Sequence, residues 1–475
     1  MHYQLLIPEI MTAILGMFTL AAGLMLPQRG RKAVGIVAVL GLVVILGNVM
    51  LGFSNQTVFF NGVYQIDTYG SFFKILFLCA ALLILFMASR YTEFFGKRKS
   101  EWFSFMIFAT LGMMIMVSSG DLLTLYVGLE LMTISFYILS GYLLNDGLSA
   151  EAGLKYLIMG ALSSAVLLFG MSLVYAASGS TVFTEIYRVL NSTPNQPILI
   201  AGIVMLIAGL GFKISVVPFH MWTPDIYQGA PTPVTAYLSV ASKAAGFAAL
   251  VRVFMVALPT TQFNWDLTLA VLAALTIVIG NLVALAQKNV KRLLAYSSIA
   301  QAGYILVGLV AANSYGLKGL LFYAMLYVFS NVGAFAVTTI VEVETGSTDL
   351  EAFNGLGRRA PMLAAVMTVC LLSLAGIPPL AGFAGKFYLF AGAIQAGYLW
   401  LAFIGLLMSM ISVYYYLNVA KAMYIGVSDN KETVSVPLMG RMALWICLLA
   451  TILIGIYPGP LSHMAELAIG LFFKG

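Results

Sequence analysis

Apolar segments about as long as a bilayer is thick recur along nearly the whole chain, and they decide the fold class. A helix needs roughly 20 predominantly apolar residues to cross a membrane. Candidate spans lie near 3–26, 33–52, 71–90, 102–119, 121–143, 151–177, 198–220, 231–258, 266–286, 293–312, 316–341, 361–395, 398–421 and 438–458. The expected architecture is an all-α membrane protein with about 14 transmembrane helices. The longest connection, Glu342 to Pro361, is about twenty residues, so no soluble domain is expected between spans. Only 9% of the 475 residues are charged and 61% are hydrophobic; soluble domains carry about 25% charged residues. Met1 to Leu26 is long enough to span and lacks a basic leading region, so it reads as a first span and not as a cleavable signal. Leu461 to Gly475 reads as a short interfacial extension.

The net charge of +6 is better explained by loop placement than by nucleic acid. Cytoplasmic loops are enriched in Lys and Arg. Sixteen of the 24 basic residues fall on odd-numbered loops or their flanks, among them Arg29, Arg31, Lys32, Arg98, Lys155, Lys291, Arg292 and Lys431. Five, Lys74, Arg188, Arg252, Lys318 and Lys474, fall on the opposite side, and three lie inside spans. This bias predicts both termini on the outer side. Cys79, Cys370 and Cys447 lie far apart in apolar runs and form no metal, iron–sulfur or disulfide pattern. GLGRR near Gly355 is a glycine pair without a strand–helix context. His2 and His463 carry no motif.

Ionisable residues at membrane depth cost about 2.5–3.5 kcal/mol each on insertion scales, and they usually mark a pathway. Four stand out: Glu130 in the fifth span, Lys213 in the seventh, Lys243 in the eighth and Lys386 in the twelfth. Tyr126, Thr133 and Tyr137 share a helix face with Glu130, and Ser239 lies one turn before Lys243. One glutamate cannot neutralise three lysines, although static ion pairs that fix helix packing are the competing reading. Burial disfavours the charged form of a lysine and a nearby carboxylate favours it. A lysine poised between those influences can take up and release a proton.

Proline interrupts two of these spans: Pro218 five residues after Lys213, and Pro378 and Pro379 shortly before Lys386. Proline removes a backbone donor and clashes with the preceding turn, and broken helices in matching places of two halves typify transporters built from inverted repeats. The expected organisation is an N-terminal three-helix segment (1–101), two inverted five-helix repeats (102–258 and 259–425) and a C-terminal helix with its tail (426–475). Ordinary proline kinks are the alternative. Ser297, Gln301 and Tyr304 share one face of the tenth span, and Tyr323, Tyr327 and Asn331 one face of the eleventh. Both faces suit ordered water or simple packing bonds. His220 is placed to bond carbonyls loosened by the first break.

GFKISVVPFHMWTPDIYQGAPTPVTAYLSVASKAAGF, QKNVKRLLAYSSIAQAGYILVG and SLAGIPPLAGFAGKFYLF closely resemble the proton-translocating, antiporter-like membrane subunits of respiratory complex I, a bacterial NADH–quinone oxidoreductase. The resemblance runs from Pro8-Glu9 to Lys421 and is nearest to the N-type branch. The chain is short and lacks the long lateral helix of the L type; it carries Lys386 where the M type resembles a Glu-bearing version. It has Tyr323 and Tyr327 where L and M types carry histidines, so no histidine relay is expected there. The resemblance implies that Glu130 and Lys213 form the charged pair of an inlet, that Lys243 passes the proton inward and that Lys386 is the terminal site. It implies no cofactor in this chain. Flavin, iron–sulfur clusters and quinone would belong to partner subunits, and the neighbours would be an M-type subunit and small subunits J, K and A in the bacterial inner membrane. Two other readings remain open: a subunit of a multisubunit sodium/proton antiporter, and a structural scaffold.

Overall fold

The computed structural model describes residues 3–26, 31–192, 197–258, 265–427 and 434–473. His2, Arg29, Lys431 and Lys474, and the side chains of Arg31 and Lys32, lie outside the described residues. The chain begins with α1 (Ile7–Met25) and α2 (Arg31–Leu51), then a two-stranded antiparallel hairpin, β1 (Thr57–Phe59) and β2 (Tyr64–Ile66). Next come α3 (Thr68–Met87), α4 (Lys99–Val117), α5 (Leu122–Ser140), α6 (Gly147–Ser178) and the short α7 (Phe183–Ser192). A first broken helix follows as α8 (Pro197–Lys213) and α9 (Trp222–Gly229). Then α10 (Thr232–Tyr237) runs through a π turn at Leu238–Ser242 into α11 (Lys243–Arg252). The second half holds α12 (Trp265–Ala284), α13 (Val290–Ala311), α14 (Ser314–Thr345) and the single turn α15 (Leu356–Arg359). A second broken helix, α16 (Pro361–Ala375) and α17 (Ala381–Gln395), precedes α18 (Leu399–Ile425), α19 (Leu438–Ile456) and α20 (Gly459–Ile469).

Twelve helices among the described residues are long and apolar enough to cross a membrane. The two apolar pieces that are too short alone, α8 and α16, are the first halves of the broken helices. The protein is an all-α membrane protein apart from its hairpin. Helices that are apolar on every face belong inside a bundle, and α3, α13, α14 and the α10–α11 stretch are buried on nearly all sides, whereas α1, α2, α18 and α19 expose most of their surface. Close backbone approach knits the bundle: a Cβ on Gly112 of α4 would stand 2.4 Å from the Met132 nitrogen of α5. Small residues serve this purpose where lipid removes the hydrophobic drive between helices.

Polar side chains end the helices where the sequence supplies them. The Asp67 carboxylate accepts the Gly70 N–H at 2.7 Å, and Asp121, Asn289 and Asn313 cap α5, α13 and α14. Such caps satisfy donors that the first helical turn leaves free. The tail expected at the interface includes α20, which packs against α3 and α14. Glu342, expected to open a long connection, lies inside α14, because the apolar run of that helix continues to Val343.

Candidate functional site

Each break uses a defined set of bonds. Beyond Lys213, the Trp222 indole donates to the Phe212 carbonyl at 2.9 Å, and the Val217 N–H donates to the Thr276 hydroxyl at 3.0 Å. At the second break the Gly382 N–H donates to Ser373 Oγ at 3.1 Å and the Gln301 amide to the Leu374 carbonyl at 3.0 Å. Pro218, Pro378 and Pro379 are exposed on the chain's surface. His220 lies at the first break beside the Pro218 backbone, with which it interacts; among the described residues its Nδ1 is buried without a partner, and Trp222 and Thr276 also serve the loose backbone.

Lys213, Lys243 and Lys386 are 1%, 3% and 4% exposed. Glu130 is half-buried and accepts a hydrogen bond from Ser164 at 2.6 Å. It borders an open cavity of about 750 Å³ between α5 and α6 that reaches Arg98 and Tyr142. The Lys213 ammonium does not touch Glu130; it donates to Thr133 Oγ1 at 3.0 Å, one turn further along α5. The expected pair is therefore not in contact: Lys213 bonds Thr133 and Glu130 bonds Ser164.

Lys243 begins α11 directly after the π turn. It donates to the Ser298 hydroxyl at 2.6 Å and to the Ser298 carbonyl at 3.0 Å, with the Tyr227 ring 5.6 Å away. Further along α13, Gln301 accepts from the Tyr323 hydroxyl at 2.5 Å, and Ser297 pairs with the Tyr416 hydroxyl at 2.5 Å. Asn331 donates to Ser239 at 2.6 Å. Among the described residues, the Tyr327 hydroxyl and Asn331 Oδ1 are buried without hydrogen-bond partners. Lys386 sits beyond the second break and donates to the Leu374 and Ala375 carbonyls, at 2.9 and 3.1 Å, and to Ser409 Oγ at 2.8 Å. The Tyr304 ring lies 4.4 Å from its ammonium. A cavity of about 460 Å³ adjoins Lys386, Ser409 and Pro378. Among the described residues, no carboxylate lies within ion-pair distance of these three lysines.

Three basic residues assigned above to loops or flanks are buried. Lys74 is 3% exposed and pairs with Glu9 at 2.5 Å, and Glu9 also accepts from the Tyr64 hydroxyl at 2.8 Å. Arg252 is fully buried. It pairs with Asp67 at 2.7 Å and donates to Gln65 and to the Val117 carbonyl. Lys291 is 3% exposed, lies 3.6 Å from Glu342 and donates to the Ala230 carbonyl at 2.8 Å. Glu342 accepts in turn from Thr232. Their burial was not expected for one reason: a charge within two turns of a helix end looks like a flank in sequence, and only the packing of neighbouring helices shows that it is covered. Asp225 of α9 is gripped by Lys155 at 2.8 Å and by Arg292 at 3.0 Å, tying α9 to both α6 and α13. Ser298, Ser409 and Tyr416 were not singled out by sequence, since single hydroxyls in apolar helices are common. Among the described residues no group of three His, Cys, Asp or Glu is placed to hold a metal ion.

A helical membrane protein with two broken helices and a row of buried lysines is the class this geometry defines. The transmembrane family described as NADH:quinone oxidoreductase/Mrp antiporter matches residues 119–412, a stretch that contains Glu130, Lys213, Lys243 and Lys386. The chain belongs to this family and, within it, to the subunit N branch of the NADH-quinone oxidoreductases. NADH-quinone oxidoreductase subunit N of Desulforamulus reducens is 50% identical over 471 residues, 99% of each chain. The corresponding subunit of Moorella thermoacetica is 51% identical over 99% of each. A chain in the structure of respiratory complex I from Thermus thermophilus superposes with a TM-score of 0.82 at 35% identity, covering 97% of this chain and 99% of that one.

Proposed function

We propose that this chain moves protons across the membrane while partner subunits reduce quinone, and that Glu130, Lys213, Lys243 and Lys386 carry them. The observation that supports this most is the set of three buried ammonium groups linked to hydroxyls and carbonyls and not to carboxylates. Buried charges with purely structural roles are normally paired. In this reading Glu130 exchanges protons with water in the cavity that reaches Arg98. A nearby anion favours the Lys213 ammonium, and withdrawing it disfavours that form, so a change in the Glu130–Lys213 spacing drives the proton onward. In the resting arrangement Lys213 is bonded to Thr133 and not to Glu130.

From Lys243 the route follows Ser298 and the α13 face to Gln301, Tyr323 and Tyr416, and ends at Lys386. Hydroxyls can donate and accept at once, which a relay requires. The orphaned Tyr327 hydroxyl and Asn331 oxygen are places where ordered water completes the line, since buried polar groups are generally satisfied by protein or water. Twelve long helices and the two broken ones make fourteen crossings in this reading. The two halves 102–258 and 259–425 act as inverted repeats, and both termini face the outer side of the bacterial plasma membrane. Neighbouring subunits of types M, J, K and A complete the membrane arm, and other subunits hold the flavin, iron–sulfur clusters, NADH and quinone.

The test is quinone-coupled proton uptake by inverted membrane vesicles carrying Lys213→Ala, with assembly of the complex checked alongside. A sharp loss of uptake in an assembled complex is expected. Unchanged uptake and quinone reduction would make the buried charges structural.

A further inference from the structure

Lys74 is a buried cation that the translocation line does not use, and it lies outside the stretch that matches the family. It sits two turns into α3. Among the described residues its ammonium has one bonding partner, the Glu9 carboxylate. An ammonium has three N–H donors, so two remain. Beside it lies a cavity of about 250 Å³ whose polar lining is Gln4, Asn48, Asn55, Ser71 and Lys74. Among the described residues the lining holds one cation, Lys74, and no carboxylate; Glu9 stands behind it, paired with the ammonium at 2.5 Å. Three carboxamides, a hydroxyl and an ammonium thus converge on one space, and each can donate to an oxyanion.

The position narrows the ligand. The cavity opens where α1 starts, α2 ends and α3 starts. Leu40, Val44 and Asn48 follow one another at four-residue spacing, so they form one stripe along α2. Leu40 and Val44 are 60% and 57% exposed, and Leu51 at the cavity rim is 91% exposed. An apolar strip therefore leads down the helix surface from a donor-rich cup at its end, whose ammonium is shared with Glu9. Lysine binds phosphate as a point charge, and water-sized volume in the cup, at about 30 Å³ per water, leaves room for a phosphate group. We propose that this cup holds the phosphodiester of an anionic glycerophospholipid, with an acyl chain lying along α2.

The experiment uses the purified complex in phosphatidylcholine nanodiscs containing a trace of phosphatidylglycerol with a photoreactive acyl chain. Cross-links are mapped by mass spectrometry. The probe is expected to label the α2 peptide, and a diacylglycerol probe with the same chain but no phosphate is expected to label it about tenfold less, a difference of roughly 1.4 kcal/mol. Asn48→Leu with Asn55→Leu is expected to lower phosphatidylglycerol labelling by a similar factor while assembly and quinone reduction stay unchanged. Lys74→Met with Glu9→Gln, which removes the cation without stranding its partner, is expected to do the same. If that buried pair proves necessary for assembly, the Asn48/Asn55 variant alone decides. Equal labelling by the two probes, or by wild type and the rim variant, would overturn the proposal and leave a water-filled cup. Competition by excess inorganic phosphate would also overturn it, by making the ligand a free anion.

Discussion

The Lys386 ammonium lies 2.9 Å from the Leu374 carbonyl oxygen, across the break between α16 and α17. With its bond to Ala375, the lysine caps the end of a helix to which it does not belong, where the negative pole of the helix dipole favours a cation. Lys213 behaves differently. It is the last residue of α8 and reaches sideways to Thr133 on α5. The two broken helices thus present their lysines in opposite senses, one before its break and one after.

Replacing Lys386 by Met separates its two roles. The Leu374 carbonyl keeps its bond from Gln301, and the Ala375 carbonyl keeps one from Ser409. The structural loss is therefore limited to about 1–3 kcal/mol, the usual cost of disturbing a buried bonded group. The complex is expected to assemble while quinone-coupled proton uptake in vesicles falls at least about tenfold, which corresponds to about 1.4 kcal/mol on the controlling barrier. Full uptake in the assembled variant would remove Lys386 from the line.

Glu130→Gln is a milder change. The Gln oxygen still accepts from Ser164, which bonds Glu130 at 2.6 Å, so packing between α5 and α6 is retained. What is lost is the anion near Lys213. Assembly is expected to match wild type and proton uptake to drop by a factor of about ten or more. Uptake measured in vesicles, normalised to complex content, checks this.

How much of this was visible in sequence depended on depth along each apolar run. Lys213, Lys243 and Lys386 could be picked out because a charge near the centre of a span has no innocuous explanation. Lys74, Arg252 and Lys291 could not, because each lies near a helix end, where a lysine or arginine that reaches water is ordinary. The partner that buries each one comes from elsewhere in the chain: Glu9 from α1, Asp67 ahead of α3, Glu342 from α14. The hairpin of Thr57–Ile66 was hidden by its brevity. The Glu130–Lys213 relationship was legible as a neighbourhood but not as a distance, since the bond that Lys213 makes to Thr133 depends on how α8 meets α5.

Arg252 and Asp67 predict a stability pattern. Arg252 is fully buried and Asp67 nearly so. Arg252→Met alone leaves a carboxylate without its cation, which costs about 3–5 kcal/mol for a buried pair. Arg252→Met with Asp67→Leu removes both charges, and most of that loss is expected to be recovered, short of the lost Asp67 cap on Gly70 and the bond to Val117. Thermal unfolding of the detergent-solubilised protein distinguishes the two. A double variant no more stable than the single one would show that the pair's attraction is not the source of the effect.

Gly376→Ala tests geometry with every charge in place. Gly376 ends α16 with φ +88°, in the left-handed region, where an L side chain costs roughly 1–2 kcal/mol. Its added Cβ would stand 3.0 Å from Lys386 Cδ, 3.4 Å from Nζ and 3.5 Å from Ser409 Oγ. The first two separations are tight, and Lys386 has the flexible chain, so the ammonium is the group that shifts off the Leu374 and Ala375 carbonyls. If proton transfer depends on Lys386 being held at the end of α16, uptake falls although no titratable residue has changed, and the loss resembles that of Lys386→Met. If uptake survives while the unfolding temperature drops, the lysine tolerates displacement and its bonds to the helix end serve the fold alone.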